Sequence, residues 1–391
     1  DDEVLLPGFV DTHVHCDDPG RSEWEGFRAA TAAAAAGGVT TVVDMPLNSL
    51  PPTLDVAALE AKRDAARGRC VVDVGFWGGA VPGNPGGLRP LLDAGALGVK
   101  GFTCDSGVPE FPPLAPDDLR RVAAELAAAD GLLLVHAEDP LLLASAPPAR
   151  GPSYTRFLGS RPAAAEDRAA AAVLDTARTT GVRVHLVHVS SAGVLPLLAA
   201  ARADGVRVTA ETCPHYLVLD AATIPDGATE AKCCPPVREA VHREALWRGL
   251  AEGLLDLVVS DHSPCPPELK AGGFDAAWGG IAGVQLGLPL LWTEARRRGH
   301  GLEHVARWAA YAPALLAGLP GKGRVAEGAD ADLVVLAPDE PVTVRAEMLR
   351  SRHRLTPYEG RRLTGAVRRT WLRGTEVDGV PRGRLLVRGG S

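Results

Sequence analysis

The sequence has little of what membrane, secreted and nucleic-acid-binding proteins need. Its longest apolar runs fall short of the roughly 18 residues of a membrane-spanning helix. Its seven cysteines are thinly spread, without the density of a disulfide scaffold, which favours a reducing cytoplasm. Basic residues are in the minority, 41 against 48 acidic ones, and the net charge of −7 suits phosphate backbones poorly. We therefore expect a cytoplasmic protein that binds neither membranes nor nucleic acids.

Composition and length narrow the class of protein. Hydrophobic residues make up 46% of the chain and charged residues 23%, which is typical of a soluble globular protein and excludes a disordered one. A length of 391 residues exceeds what one small core needs. It suits either one large α/β barrel or two ordinary domains.

Apolar runs of strand length alternate with helical stretches over most of the chain. The predicted strands are 5–15, 40–46, 71–78, 98–104, 132–138, 182–190, 206–217 and 256–260, and the predicted helices are 23–36, 54–67, 116–129, 163–179, 192–203, 239–252, 284–298 and 302–317. Most of these strands are apolar on both faces, the pattern of a parallel sheet covered by helices. Eight strands with helical crossovers predict an α/β fold, the (β/α)8 TIM barrel.

The pattern changes after Gly323, where short Val-, Gly- and Arg-rich segments replace the alternation. Residues 324–338 and 364–388 predict strands and turns that are too few for an independent sheet, and no unassigned upstream strand remains to complete it. We therefore predict a barrel domain over residues 1–323 and the C-terminal part of a small β subdomain over residues 324–391.

Two histidines end the first predicted strand. His13 and His15 are two positions apart, so their side chains share one face of the strand and point into the barrel mouth. Imidazole is the commonest metal-binding side chain, and such a pair can chelate one ion. Taken alone, the His-x-His motif is equally consistent with a metal site and with a pair of structural histidines.

Four more chemically active side chains end other predicted strands: Lys100, His136, His188 and Asp261. Each has a structural explanation of its own; Lys100, for example, is costly in an apolar strand unless its charge is paired or removed. The C-terminal ends of barrel strands nevertheless form the face where barrel enzymes hold their chemistry. Six such groups on five strand ends are hard to explain as coincidences, and we predict that they share one site.

Other histidines are predicted to support this site or to lie elsewhere. His185 precedes His188 by three residues, so on a regular strand it faces the helix layer and has a structural role. His262 directly follows Asp261 and should face away from the site, and His215 should lie behind it. The remaining histidines, predicted at the surface, are His242, His300, His304 and His353.

With these residues, the sequence resembles the cyclic amidases of the amidohydrolase superfamily, which include dihydroorotases, hydantoinases and allantoinases. Their pattern is a His-x-His pair, a bridging carboxylated lysine, two later histidines and an aspartate on strand 8. The matching residues here are His13, His15, Lys100, His136, His188 and Asp261. The resemblance implies that the His-x-His pair and Asp261 hold one metal ion, that the two later histidines hold a second, and that carboxylated Lys100 bridges the two ions.

The resemblance also implies a reaction and an assembly. Two divalent ions would generate a bridging hydroxide and polarise a carbonyl, and Asp261 would carry the proton to the leaving ring nitrogen. Zinc is the first candidate for both ions, with cobalt, iron and manganese as alternatives, because imidazole, carbamate and carboxylate suit all four. The family further implies a homotetramer.

Departures from two relatives narrow the substrate. Dihydroorotases hold the substrate carboxylate with an arginine, an asparagine and a histidine at positions that here carry Asp17, Leu47 and Cys265. An anionic substrate would lose these partners, so dihydroorotate is a poor candidate. Hydantoinases usually carry a tyrosine shortly after the bridging lysine, and residues 101–107 contain none.

The resemblance to allantoinases extends over nearly the whole chain. The matching stretches are 19–27, 44–53, 211–217, 232–238, 260–265, 277–283 and 353–358. They imply hydrolysis of the ring amide of allantoin to allantoate. The alternatives are a hydantoinase or dihydropyrimidinase acting on another neutral cyclic imide, and a non-catalytic oligomeric homologue, which typically loses ligands that are all present here.

Allantoin is a neutral ring with a ureido arm, so its recognition needs hydrogen bonds. The resemblance places backbone contacts to the ring at Cys234 and Gly279, while Asn48 and Ser106 are candidates for the ureido arm. A turn-forming Asn48 is the structural alternative. Cys233 and Cys234 are adjacent, but the sequence has no second cysteine pair with the spacing of metal ligands. We therefore interpret both as small buried residues.

The chain begins almost on its first predicted strand and without Met. Because cyclic amidases build their small β-sandwich from both chain ends, we expect this sequence to be a segment of a longer enzyme.

Overall fold

A computed structural model describes residues 2–389 of the protein. Asp1, Gly390 and Ser391, which fall within the predicted domain ranges, lie outside the described residues. The strands are β1 (Val4–Pro7), β2 (Phe9–Val14), β3 (Val39–Asp44), β4 (Asp73–Phe76), β5 (Gly78–Gly79), β6 (Val99–Phe102), β7 (Leu132–His136), β8 (Arg183–Leu186), β9 (Val208–Thr212), β10 (Leu257–Val258), β11 (Leu333–Thr343), β12 (Arg362–Leu372) and β13 (Thr375–Glu376).

The helices fill most of the connections between these strands. They are α1 (Phe27–Ala36), α2 (Val56–Ala66), α3 (Leu88–Asp93), α4 (Pro116–Ala128), α5 (Pro140–Ser145), α6 (Tyr154–Ser160), α7 (Ala163–Thr180), α8 (Val194–Ala203), α9 (Pro214–Val218), α10 (Ala240–Ala251), α11 (Gly287–Arg297), α12 (Leu302–Ala306) and α13 (Ala312–Leu316). Within residues 2–389, none of the helices combines the length and the apolar character that crossing a bilayer requires.

Parallel strands close into the predicted (β/α)8 barrel. One run is β2–β3–β4 and the other is β5–β6–β7–β8–β9–β10. The two runs meet where β4 and β5 follow each other along one chain segment, interrupted at Trp77. At the other seam the backbone of His262 lies between two residues of the first barrel strand: its carbonyl accepts the N–H of His15 at 2.8 Å, and its N–H donates to the carbonyl of His13 at 3.2 Å. The predicted fold class is therefore confirmed.

Two predicted elements are wrong in detail because of prolines. The strand predicted over 206–217 ends at Thr212, and α9 begins at Pro214, which has no N–H for a strand ladder and whose fixed φ suits the first turn of a helix. The helix predicted over 302–317 is divided into α12, a π-helical turn over Arg307–Tyr311, and α13. Pro313 in α13 cannot donate to the preceding turn, which accounts for the wider turn before it.

The small β subdomain joins distant parts of the chain. Among residues 2–389 its antiparallel sheet has the order β1–β11–β12–β13, with Leu5 opposite Val335. The single strand predicted over 5–15 is therefore two strands, and its first part is the partner strand that the C-terminal segments need. The break falls at Gly8, where a Cβ atom would lie 2.3 Å from Thr40 Oγ1. The domain boundary at residue 323 stays a prediction.

A buried ion cluster holds the barrel to the segments that follow it. Lys322 Nζ lies 2.6 Å from both Asp73 Oδ2 and Asp332 Oδ2 and 2.8 Å from Asp330 Oδ2. Asp73 belongs to barrel strand β4, and it also accepts a hydrogen bond from Arg373, between β12 and β13. One lysine therefore compensates carboxylates from both parts of the fold.

Replacing Lys322 with Met should destabilise the protein strongly. The variant leaves buried carboxylates without their cation, which costs about 3–5 kcal/mol of unfolding free energy. The matched control is Arg178→Met, which removes exposed ion pairs with Asp175 and Asp204 and should cost under about 1 kcal/mol. Urea denaturation followed by circular dichroism measures both; equal losses would contradict the role given to the cluster.

Candidate metal centre

The six side chains predicted to share a site converge at the C-terminal end of the barrel, and all six are buried. His13 Nε2 lies 3.0 Å from Lys100 Nζ and 3.2 Å from Asp261 Oδ1. His15 Nε2 lies 3.9 Å from the same Asp261 oxygen. On the other side, His136 Nδ1 lies 2.9 Å from the Nε2 atom of His188. The structure thus brings together every residue of the predicted metal site.

Strand ends and two unusual backbone conformations aim these side chains. His13 lies in β2, Lys100 in β6, and His136 is the last residue of β7. His188 and Asp261 follow the ends of β8 and β10 and have positive φ values of 40° and 47°. Residues other than glycine rarely adopt a positive φ. Those that do concentrate at functional sites, where the surrounding structure holds them in this conformation.

Glu211, which the sequence analysis did not single out, lies directly behind the cluster. Its Oε1 accepts a hydrogen bond from His13 Nδ1 at 2.5 Å and another from the backbone N–H of His188 at 3.2 Å. Its Oε2 lies 2.9 Å from His185 Nε2, and His185 Nδ1 lies 2.7 Å from Thr209 Oγ1. A glutamate inside a predicted barrel strand, at 206–217, was the sequence feature that could have indicated this role.

His185 therefore faces the barrel interior, and its predicted orientation towards the helix layer is wrong. The prediction counted three positions back from His188 along a regular strand. The strand β8 ends at Leu186, and the positive φ of His188 breaks the alternation of faces. The structural role predicted for His185 agrees with its contact to Glu211.

Glu138 and Arg161 form a second outer layer that sequence reasoning missed. Glu138 Oε2 lies 2.7 Å from His136 Nε2, and the carboxylate also accepts hydrogen bonds from Arg161 Nε and Nη2 at 3.1 and 2.5 Å. Glu138 is two residues after His136, a spacing that places both on one face of an extended segment. This spacing was the available indication, whereas the pairing with Arg161 depends on the loop between α6 and α7.

Protonation states suit a cation site. Burial, followed by the charge of Lys100 or of neighbouring histidines, lowers the pKa of His15 and His188 well below 6.5. Burial also lowers the pKa of His136, and that of Lys100 to about 8. Neutral imidazole is the form that binds metals.

The outer carboxylates are anionic despite their burial. Burial alone would raise the pKa of Glu211, but the charge of His13 and the hydrogen bonds from His13 and His185 lower it below the usual value. Glu138 behaves likewise, through Arg161 and His136. Each carboxylate fixes one nitrogen of a site histidine as N–H, which leaves the other nitrogen directed at the cluster as an acceptor.

These donors fit divalent metal ions. Ligand atoms of His13, His15 and Asp261 lie within 4.8 Å of one another, close enough for one ion. The facing nitrogens of His136 and His188 offer a second pair beside Lys100. Four imidazoles, one carboxylate and one amine of lowered pKa form a donor set typical of transition metals.

A cavity of about 600 Å³ opens over the cluster, and all four residues predicted to bind substrate line it. A Cβ atom on Gly279 would lie 3.4 Å from Cys234 Sγ, so the two predicted ring contacts are neighbours. Asn48 has a φ of 70°, as a turn residue does, and its Nδ2 lies 3.3 Å from His15 Nδ1. The hydroxyl of Ser106 donates to the Phe111 carbonyl at 2.7 Å. Both polar candidates are thus engaged with the protein itself.

The cysteines next to the cavity are not activated. Burial raises the pKa of the Cys233 and Cys234 thiols, so both are neutral at physiological pH. Asp17, which occupies the position of the dihydroorotase arginine, is buried outside the cavity lining. Burial, together with the nearby Asp44 and Glu25, raises its pKa well above the usual value.

The two histidines expected around the site lie near it. His262 is buried, and its Nδ1 accepts the N–H of Gly283 at 3.1 Å, in agreement with a packing role. His215 is buried in α9, with a ligand atom within 4.8 Å of atoms of Cys213 and Asp261. Burial lowers the pKa of His215 to about 4.

A closed barrel with this donor set at its C-terminal face agrees with comparisons to known proteins. Residues 4–377 match the amidohydrolase family, and the chain belongs to that family. The family and its hydantoinase members imply a divalent metal centre, which the donor set described above fits.

Similar proteins include allantoinases and hydantoinases. An allantoinase from Streptomyces avermitilis is 58% identical over 99% of this chain and 88% of its own length. An allantoinase from Saccharomyces cerevisiae is 45% identical over 98% of this chain and 86% of its own. Among solved structures, the L-hydantoinase (dihydropyrimidinase) from Arthrobacter aurescens superposes with a TM-score of 0.92 at 32% identity, covering 99% of this chain and 89% of that one.

Replacing Glu211 with Gln should weaken metal binding about 10- to 100-fold, because an amide cannot accept both the His13 and the His188 hydrogen bonds with the same oxygen charge. Competition with a chelating dye measures the dissociation constant. The control Glu294→Gln changes a carboxylate that pairs with Arg297 and Arg298 away from the site and should leave metal binding unchanged. Unchanged affinity in Glu211→Gln would contradict the role of this residue.

Proposed function

We propose that the protein hydrolyses the ring amide of allantoin to give allantoate. The observation that carries the proposal is the 58% identity to an allantoinase over 99% of this chain. The cavity supports it, because the positions where dihydroorotases bind a carboxylate offer no cation here. Leu47 is one of them and lines the cavity as an apolar side chain.

The clustered side chains would hold two divalent ions. His13, His15 and Asp261 would bind one ion, His136 and His188 the other, and Lys100, after carboxylation, both. Neutral Lys100 amine is the form that reacts with carbon dioxide, and a pKa of about 8 makes this form accessible near neutral pH. When bound, two such ions supply Lewis acidity and a water of lowered pKa. Zinc is the first candidate, with cobalt, iron and manganese as alternatives.

Asp261 is the residue that moves the proton. Its Oδ1 lies beside His13 and His15 and accepts a hydrogen bond from Ser263 Oγ at 3.2 Å, and the side chain lines the cavity. From this position Asp261 takes the proton of the attacking water and delivers it to the ring nitrogen as the amide bond breaks. The Ser263 hydroxyl keeps the carboxylate oriented between these two tasks.

The cavity wall orients the neutral ring. The backbone of Gly279 and Cys234 lies on one side of the cavity, and the small size of Gly279 allows a ring to approach the chain. Burial keeps the thiols of Cys233 and Cys234 neutral, so neither is a competing nucleophile in this wall. A cytoplasmic homotetramer remains part of the proposal, on the family resemblance and the sparse cysteines alone.

The second candidate is a hydantoinase or dihydropyrimidinase. It is favoured by the close superposition on the Arthrobacter aurescens L-hydantoinase. Sequence identity to that protein is 32%, against 58% to the Streptomyces avermitilis allantoinase, and residues 101–107 lack the tyrosine expected of hydantoinases. Allantoin is therefore the better-supported substrate.

A substrate panel separates these functions directly. Purified, metal-loaded protein should hydrolyse allantoin with the highest kcat/KM among allantoin, hydantoin, dihydrouracil and dihydroorotate, and dihydroorotate should be the poorest because its carboxylate has no cationic partner. The assay monitors ring opening as a decrease in ultraviolet absorbance or by chromatography of the products. Preference for hydantoin or dihydrouracil would establish the second candidate instead.

Replacing Asp261 with Asn should abolish turnover while about two metal ions per chain stay bound, since an amide can still coordinate but cannot accept the proton. Elemental analysis gives the metal content and a stopped assay gives the activity. The control variant Asp139→Asn alters a partly buried helix cap paired with Arg168 and should retain both. Activity retained in Asp261→Asn would refute the assigned proton transfer.

A further inference from the structure

We propose that Arg161 binds the ureido arm of the substrate and so determines the preference for allantoin over unsubstituted hydantoin rings. This inference rests on the proposed function, and it assigns the arm to a residue that the sequence analysis did not consider. Arg161 follows α6 in the loop that leads into α7 and lines the cavity above the cluster.

One edge of the Arg161 guanidinium is hydrogen-bonded to Glu138, and the other edge faces no described partner. Its Nε and Nη2 donate to the two oxygens of Glu138 at 3.1 and 2.5 Å, a bidentate pairing that fixes the plane of the group. Among residues 2–389, Nη1 has no hydrogen-bond partner, and 20% of the side chain is exposed, within the wall of the cavity. Fixed in this plane, Nη1 offers its hydrogens to a ligand at little cost in side-chain entropy.

The position of Arg161 relative to the cluster suits an arm attached to a ring. Glu138 lies between them, since it contacts both Arg161 and His136 Nε2 at 2.7 Å. Arg161 and the cluster residues line the same cavity, so a ring whose amide is at the cluster has Arg161 in the wall of the cavity that holds it. Allantoin differs from hydantoin only by the ureido arm, whose carbonyl oxygen is a strong hydrogen-bond acceptor.

The charge around Arg161 favours a neutral acceptor. The fully buried Glu138 carboxylate compensates the guanidinium, and Asp105 and Asp275 line the cavity together with Lys232. The free edge thus acts as a hydrogen-bond donor in surroundings that are not cationic overall. A urea carbonyl, which needs a hydrogen-bond donor and not a counter-charge, suits a guanidinium that Glu138 already compensates.

The other polar candidates for the arm are already engaged. Ser106 Oγ donates to the Phe111 carbonyl, and Lys232 Nζ donates to the Ala277 carbonyl at 2.5 Å. Asn48 Nδ2 lies against His15. Trp278 Nε1 also lines the cavity without a hydrogen-bond partner among the described residues, but that atom is buried. The Arg161 side chain is 20% exposed, so its Nη1 is the better placed of the two donors to reach a ligand.

The experiment measures two substrates against two variants. Arg161→Gln and Arg161→Lys are each assayed with allantoin and with hydantoin, which lacks the arm. Loss of a charged hydrogen bond should lower kcat/KM for allantoin about 10- to 100-fold more than for hydantoin, mainly through KM. Arg161→Lys retains a cation beside Glu138 and serves where Arg161→Gln does not fold. If hydantoin turns over too slowly, its inhibition constant against allantoin hydrolysis replaces kcat/KM.

Two controls separate binding of the arm from support of His136. Glu138→Gln changes the carboxylate that contacts both Arg161 and His136, so it should lower metal content and reduce turnover of both substrates, whereas the Arg161 variants should lose allantoin turnover selectively. Arg156→Gln, on the exposed surface of α6, should match the wild type with both substrates. Metal content and melting temperature are measured for every variant.

Different outcomes would refute the role of Arg161 and the proposed hydrolysis of allantoin. Equal losses on allantoin and hydantoin in both Arg161 variants would overturn the assignment and leave Arg161 only a support of Glu138. Wild-type protein that hydrolyses hydantoin but not allantoin would refute the proposed function itself. A selective loss for allantoin, with metal content unchanged, is the result we expect.

Discussion

The site depends on the seam at which the barrel closes. Two backbone hydrogen bonds hold His262 between His13 and His15, and the Asp11 carboxylate accepts the N–H of Ser260 at 3.0 Å from the other side of the same seam. Closure therefore places the first and last barrel strands so that Asp261 faces the histidine pair. Residues almost 250 positions apart become parts of one centre because a parallel sheet has to pair its two edges.

Buried carboxylates convert this convergence of polar groups into a usable site. Glu211 and Glu138 each contact a different histidine of the cluster and orient its ring, and each is itself satisfied by further donors, His185 and Arg161. Without these anions, imidazoles packed this closely would be left to donate to one another. The outer layer thus determines which nitrogen atoms are free to bind an ion.

The sequence patterns predicted the barrel and the six clustered residues, because apolar runs mark strands and strand ends share one face. They did not reveal features that depend on which partner a segment meets. The strand β1 was hidden inside a longer apolar run, since Val4–Pro7 is distinguished from β2 only by its pairing with β11. The orientation of His185 was wrong because the positive φ of His188 interrupts the alternation. Glu211 and Glu138 were visible as residues, but their partners come from other strands and loops.

The pairing of β1 with β11 also governs the order in which the molecule can be assembled. Val4–Pro7 is synthesised more than 300 residues before Leu333–Thr343. At a synthesis rate of roughly 5–20 residues per second, β1 waits on the order of tens of seconds with an unpaired edge. An unpaired apolar edge invites pairing with other chains, so the nascent barrel needs shielding until β11 has been made.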